Sequence, residues 1–404
     1  MRGSLRTSTV VLVALATGAG LVAQQRGGGR GMRSDRGQAV EPGQPCPAGM
    51  TLVRPGWCQP PELPPPSILD YRPKSTVVAD EHLVPRAKFP VVDIHSHETI
   101  TAANMAERIA EMDALNLRVL VNLSGGSADR LKQNVETIRS SPHEDRFRVF
   151  ANVNWSGAGG PGWKEKEVAA LEQAIADGAI GLKVFKNLGL SARKADGSRL
   201  KVDDPELDPI WQVCAARNVP VLIHVADPAQ FFDPLDYRNE RWLELALFPN
   251  RQYPQDRFPA FEDLMAERDR MFERNPKTRF IAAHFGWHGN DLGRAARLLD
   301  RLPNVFYEVG AVLYEFGRQP RGAREFFIRY QDRILFGKDS YQPSEYPYFF
   351  RVFETTDEYF DYYRDYHASY KMYGLGLPDA VLKKLYSGNA LKVAPGLPQA
   401  GWPR

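Results

Sequence analysis

From about residue 90 onward the chain switches repeatedly between two hydrophobic periods. Short runs rich in β-branched residues are followed by stretches of roughly ten to fifteen residues with apolar positions at helical spacing. The short runs predict strands at Val91–His95, Arg118–Leu123, Arg148–Val153, Ile180–Phe185, Val219–His224, Phe280–His284, Val305–Val309 and Ile334–Gly337. The periodic stretches predict helices at Ala103–Leu115, Ala128–Arg139, Lys164–Asp177, Pro205–Arg217, Glu262–Arg274, Asp291–Arg301 and Gly322–Tyr330, with more helix after the last strand, ending in Asp379–Val393. Asn275-Pro276 closes one helix, and Gly178 follows another where a residue of positive φ commonly ends it. Eight strand–helix units predict an α/β fold, a (β/α)8 TIM barrel. A doubly wound open sheet is the competing architecture. It favours a glycine-rich phosphate turn after its first strand, and this chain has His95-Ser96-His97 there.

The rhythm breaks once, between His224 and Glu262. A long loop after a barrel strand predicts a lid or substrate wall. The plainer reading is a surface excursion, which would leave Phe231, Phe232, Tyr237, Trp242, Tyr253 and Phe258 to water.

Ahead of residue 85 the pattern is different. Arg2 and Arg6 precede an apolar run from Val10 to Val22, followed by Ala23-Gln24. Basic, apolar and small segments in that order predict a secretory signal peptide over residues 1–24, so the protein is expected to be exported, periplasmic or secreted. Residues 25–84 predict an arm, flexible through Arg26-Gly27-Gly28-Gly29-Arg30-Gly31 and then extended through Pro60-Pro61 and Pro64-Pro65-Pro66. The barrel is expected over 85–395 and a tail over 396–404. At 404 residues and 43% hydrophobic the chain can bury a large core. A net charge of +3 calls for neither nucleic acid nor a membrane surface as partner. A small-molecule substrate is the expected partner, no stable membrane insertion is expected, and homo-oligomerisation is left open. Of the three cysteines, Cys46 and Cys58 flank a Pro- and Gly-rich loop and could close a disulfide in an exported chain. Cys214 sits in a helical pattern and reads as a buried, inert residue.

The candidate chemistry lies at strand ends, where barrels of this kind place their active sites. His95 and His97 end the first strand, His224 the fifth and His284 the sixth, and Asp339 follows the eighth. Residues i and i+2 of a strand share a face, which would aim both imidazoles of the first strand at one ion. A strand-end histidine alone is more often a packing or surface residue. Five metal-competent side chains on one rim, in a protein with eight histidines, favour a metal site.

These residues stand in recognisable motifs. Val92-Asp93-Ile94-His95-Ser96-His97, Leu222-Ile223-His224, Ala282-Ala283-His284-Phe285-Gly286, Asp332 to Asp339 and Tyr386-Ser387-Gly388-Asn389-Ala390 together resemble the amidohydrolase superfamily. The likeness is to its amidohydrolase-related group, which includes decarboxylases such as aminocarboxymuconate semialdehyde decarboxylase. It spans about residues 85–395, and Lys338 departs from the Thr or Ser common before the final Asp. The resemblance implies that His95, His97, His224 and Asp339 bind a divalent ion, zinc first, leaving a position open for an activated water. It implies that Asp339 and His284 are catalytic, Asp339 moving the water's proton and His284 polarising a carbonyl or acting as acid. Two-metal relatives carry a carboxylated lysine near Lys183. So modified, Lys183 would bridge two ions, with His224 and His284 on the second; unmodified, it would pair with a substrate carboxylate. Asp93 would orient a histidine or serve as a structural carboxylate. Arg318, Glu308 and His288 are candidate substrate contacts, each with a structural alternative: an ion pair, a barrel ion pair and a helix start. Lys186 is expected to be solvated, and His82, His143 and His367 read as ordinary residues.

Three functions compete. The first is a metal-dependent hydrolase of a small-molecule amide, lactone or ester. The second is a non-oxidative decarboxylase of an aromatic or unsaturated acid, a lyase on the same metal. The third is a non-catalytic exported barrel that binds a ligand.

Overall fold

A computed structural model describes residues 37–402 except 62, 65, 66, 365, 368 and 369. The predicted signal peptide therefore lies outside the described residues. The chain forms two compact units that divide after Arg72. In the first, β1 (Gln38–Ala39), β2 (Thr51–Arg54) and β3 (Trp57–Gln59) pair antiparallel in the order β1-β3-β2. The extended arm predicted from the prolines is thus folded over residues 38–59. Pro55-Gly56 explains one reversal: Gly56 has φ +75°, the left-handed position that follows proline in a type II turn. A Cys46–Cys58 disulfide ties the preceding loop to β3, and Cys58 is buried.

The second unit carries β4 (Val91–Ser96), β5 (Leu117–Asn122), β6 (Phe147–Val149), β7 (Ala151–Asn152), β8 (Leu182–Val184), β9 (Val221–Ile223), β10 (Phe280–Ala282), β11 (Val305–Glu308) and β12 (Ile334–Leu335). They pair in parallel as β4-β5-β6 and as β7-β8-β9-β10-β11-β12. β6 and β7 are one run broken at Phe150, whose N–H still donates to Asn122 O at 2.9 Å. At the other seam Ser96 bridges Asp339 in parallel, and Ile94 N–H donates to Phe336 O at 3.2 Å. Eight strand positions therefore close into a barrel. Every predicted strand is present, most of them trimmed at the ends.

Side-chain alternation separates two apolar layers. Val92, Ile94, Val119, Val121, Leu222, Ile281 and Leu335 fill the barrel interior, with Ala390, Val393 and Leu397 packed against them. Their strand neighbours Leu120, Val149, Val221, Phe280 and Tyr307 face a larger cluster shared with the helices. The helices Met105–Leu115, Ala128–Arg139, Trp163–Asp177, Asp208–Ala216, Phe261–Arg274, Leu292–Arg301 and Pro320–Arg329 stand where the periodicity put them. Gly178, with φ +124°, and Asn275 end two of them, as their sequence positions predict. The last predicted helix is divided into Asp379–Lys383, a π turn at Lys384–Gly388, and Asn389–Val393. Asn389 pins it by donating to Gln331 O and Ile334 O, each at 2.7 Å. Cys214 is buried, and burial pushes its thiol far above the usual range. Among the described residues no helix is long and apolar enough to cross a membrane.

The insertion after β9 is ordered into a turn at Ala229–Phe231, a short helix at Trp242–Leu247 and a turn at Pro249–Arg251. Its aromatics are mostly packed: Phe231 and Phe232 are buried, and Tyr253 stacks on Phe232 at 4.9 Å and meets Phe258 edge-on at 5.0 Å.

Candidate metal centre

The first strand reaches the site by an irregularity. Val92 and Ile94 belong to the interior cluster, so strict alternation would turn His95 out toward the helices. Between Asp93 and Ser96, however, the β4–β5 register shifts by one extra residue. Such a bulge re-aims the side chains beyond it, and His95 points into the barrel mouth with no exposure to solvent. His97 lies just past the strand end, 29% exposed as a side chain.

Each imidazole is held by a second group. His95 Nδ1–H donates to Glu308 Oε1 at 2.9 Å, which leaves Nε2 as a lone pair aimed inward. His97 Nδ1 lies 2.8 Å from Ser124 Oγ, which orients that ring. The two Nε2 atoms then stand 3.3 Å and 3.4 Å from the same oxygen, Asp339 Oδ1. These three ligand atoms all lie within 4.8 Å of one another. Two imidazole nitrogens and a carboxylate oxygen are a donor set that suits zinc and other borderline divalent ions. A lone pair facing a carboxylate is satisfied by a cation between them, and here the Lys183 ammonium lies 3.1 Å from His95 Nε2. The residues present therefore fit a divalent metal. Glu308, His95 and His284 make a second close group, but in it the carboxylate is already engaged by N–H donors. It receives His284 N–H at 2.5 Å and Gly310 N–H at 2.6 Å.

Asp93 works through the backbone. Its Oδ1 accepts His95 N–H at 3.0 Å and Lys338 N–H at 3.1 Å, and its Oδ2 accepts Tyr346 O–H at 2.6 Å. It touches no histidine ring, so it staples the two chain segments that carry His95 and Asp339. Burial raises its carboxyl to about 6, against the opposing hydrogen bond of Tyr346. Asp339 itself sits at φ +81°, a strained conformation that Asp, with its short polar side chain, tolerates better than most residues. Burial would raise its carboxyl, but His95 and His97 hold it well below the usual range.

β10 ends two residues earlier than predicted, because His284, Phe285 and Gly286 take positive φ near 56–58°. That turn buries His284 with its Nδ1–H donating to Gly310 O at 2.9 Å. Nε2 is thereby left bare, 3.3 Å from His224 Nδ1. Burial lowers the His284 pKa to about 3, so the ring is neutral. Trp287 stacks on it at 4.6 Å. His224 is not in the trio: its Nε2 faces Asp227 Oδ1 at 3.4 Å and its ring packs on His284 at 4.3 Å. Of the four ligands that the resemblance implies, His95, His97 and Asp339 converge, while His224 stands beside them, paired with His284.

The amidohydrolase family model matches residues 145–394, more than half of the chain. The chain belongs to the amidohydrolase family. The match covers His224, His284 and Asp339 and begins beyond His95 and His97. No curated protein matches the chain. Among solved structures, an uncharacterised TIM-barrel protein from Bordetella bronchiseptica is 16% identical, over 72% of this chain and 83% of that one, with a TM-score of 0.47. A 2,6-dihydroxybenzoate decarboxylase is 15% identical over 77% and 99%, with a TM-score of 0.45. A 4-oxalomesaconate hydratase from Rhodopseudomonas palustris is 16% identical over 76% and 96%, with a TM-score of 0.44.

The remaining expectations for this amidohydrolase fare unevenly. Lys183 is buried beside His95, and burial lowers its ammonium to about 8 while Asp339 and Glu308 oppose the shift. Glu308 is fully buried behind His95, so it is an orienting carboxylate and not a substrate contact. His288 is also misplaced by sequence reasoning. It is 2% exposed, between Tyr307 Oη at 3.4 Å and Arg268 Nη2 at 3.5 Å, in the layer between barrel and helices. Arg318 is engaged twice, by Glu315 at 2.5 Å and by Glu240 of the insertion at 3.0 Å, which is the ion-pair alternative. Lys186, expected to be solvated, donates to Asp227 at 2.6 Å, and Tyr253 O–H reaches the same oxygen at 2.6 Å. Burial would raise the Asp227 carboxyl, but His224 and Lys186 hold it at about 2. Lys338 turns away from the cluster to Glu345, its Nζ 5.8 Å from the Tyr363 ring. Ser124, Asp227 and Trp287 carry no motif of their own in the sequence; only their places just past strand ends mark them.

Proposed function

We propose that this amidohydrolase is a metal-dependent hydrolase of a small-molecule amide, lactone or ester, with zinc as its ion. The convergence of His95 Nε2, His97 Nε2 and Asp339 Oδ1 carries the proposal. A divalent cation in such a set supplies Lewis acidity and brings a water's pKa toward neutrality. Asp339, ionised and 34% exposed as a side chain, can take a proton from that water and return it to a leaving group. His284 enters the site as an acceptor at Nε2, so the acid role requires it first to take up a proton there. Phe185 beside the His97 ring at 5.7 Å and Trp287 beside His284 give the site apolar walls that limit water. The facing nitrogens of His224 and His284 support a second version with two ions, since a proton or a second cation between them satisfies both. The Cys46–Cys58 disulfide supports export to an oxidising compartment.

Elemental analysis of the zinc-incubated wild type beside His95→Ala and Asp339→Asn tests the reading. About one ion per chain, lost in both variants together with turnover in a panel of lactones, esters and amides, is the expected result. About two ions would favour the paired version. Turnover confined to aromatic carboxylates, with carbon dioxide released, would replace the hydrolase by the decarboxylase. No ion in the wild type would leave the ligand-binding barrel.

A further inference from the structure

Two neutral imidazoles can meet as His224 and His284 do in two ways. His284 Nδ1–H donates to Gly310 O at 2.9 Å, so its Nε2 is a bare lone pair, and His224 Nδ1 stands 3.3 Å from it. With the His224 proton on Nδ1, the gap closes as a hydrogen bond. With that proton on Nε2, two lone pairs face each other, and a cation between them satisfies both. The far side of the His224 ring decides between the two.

That side faces Asp227. β9 ends at Ile223, and Ala226 turns the chain back at φ +63°. Asp227 is 5% exposed, and its Oδ1 lies 3.4 Å from the buried Nε2 of His224. The other oxygen, Oδ2, is occupied: Lys186 Nζ and Tyr253 O–H both donate to it at 2.6 Å. Lys186 follows β8. Tyr253 belongs to the insertion, where its N–H donates to Phe231 O at 2.8 Å and its ring stacks on Phe232. Two elements thus fix the carboxylate and leave one oxygen for the imidazole. An ionised carboxylate only accepts, so it favours an N–H facing it over a lone pair, and more strongly out of water. Oδ1 therefore draws the proton to Nε2 and empties Nδ1.

We propose that Asp227 is a positioning residue that fixes His224 as the Nε2–H tautomer and so presents Nδ1, beside His284 Nε2, to a divalent cation. Lys186 and Tyr253 hold the carboxylate in place, which makes the insertion part of the metal centre rather than a wall around it. The proposal deepens the metal-dependent reading above and rests on it.

Asp227→Asn separates charge from shape. Lys186 and Tyr253 are donors, so they would take the amide oxygen and turn its NH2 toward His224. A donor there selects the opposite tautomer, and the gap to His284 closes as a hydrogen bond. Long-range proton–nitrogen NMR of the histidine-labelled, EDTA-treated full chain at pH 8 reads the tautomer, with His224 assigned by His224→Gln. Chelator competition reads zinc affinity. The wild type is expected as Nε2–H, and Asp227→Asn as Nδ1–H with zinc weakened by about 10- to 100-fold. Tyr253→Phe removes a donor but keeps the charge, so it should keep the wild-type tautomer. Nδ1–H in the wild type, an unchanged tautomer in Asp227→Asn, or a flip in Tyr253→Phe as well would overturn the proposal. A flip in Asp227→Asn with unchanged zinc affinity would overturn it too, setting His224 apart from the ion. If Asp227→Asn does not fold by circular dichroism, the tautomers of the wild type and Tyr253→Phe decide. Nε2–H in a wild type that takes up no zinc would keep the tautomer assignment and sink the metal-dependent reading separately.

Discussion

At the scale of single residues, the centre depends on carboxylates that never meet substrate. Glu308 receives one proton-bearing nitrogen from His95 and the main-chain N–H of His284 and Gly310, so a single side chain fixes both a ring and a turn. Replacing it by Gln keeps the volume but loses the charge that sets the His95 tautomer. Glu308→Gln is therefore expected to weaken zinc by about 10- to 100-fold while the fold persists, measured by competition with a chromogenic chelator. Unchanged affinity would mean that His95 is oriented by packing alone. Burial and Lys183 press the His95 pKa down, Glu308 and Asp339 press it up, and the carboxylates prevail. A metal competes with that proton, so affinity should fall as the pH is lowered.

At the scale of elements, the site is assembled where regular structure fails. The extra residue in β4 aims His95 inward, and the left-handed run at His284 ends β10 early. Gly337 stands between these elements. A Cβ there would lie 2.4 Å from Glu308 Oε2 and 2.8 Å from His95 Cβ, against groups already fixed by hydrogen bonds. Gly337→Ala is expected to cost about 1–3 kcal/mol in urea unfolding and to lower zinc uptake as well. Stability close to wild type would show that the Glu308–His95 pair can shift to make room.

At the scale of the whole molecule, long-range ion pairs tie the segment before the barrel to its far end. Asp357 accepts His82 N–H at 2.8 Å, the His82 ring at 2.5 Å and Arg351 Nε at 2.8 Å. Burial would raise its carboxyl, but these donors hold it below the usual value. An Asp depressed below its unfolded value of about 3.9 contributes stability that is complete above that pH and lost as the pH falls through the folded pKa. Asp357→Asn should therefore destabilise the chain at pH 7 and much less near pH 3, compared by urea titration at both. An equal loss at the two pH values would assign the effect to packing.

Sequence alone determined the barrel's rhythm, because a period of two for strands and 3.6 for helices follows from backbone geometry and needs no distant partner. It also brought His95, His97 and Asp339 to notice, since strand ends can be located from those same periods. Only the tertiary structure decided which nitrogen of each imidazole faces inward, because that depends on Glu308, Ser124 and Gly310, remote in the chain. It alone set His224 beside His284 and Asp227, and His288 into the helix layer. It also engaged Arg318 and Lys186 in ion pairs with Glu240 and Asp227, on loops that follow other strands. Periodicity fixes the strand on which a side chain begins. Its partner, and hence its chemistry, is fixed by contacts that form only when the barrel closes.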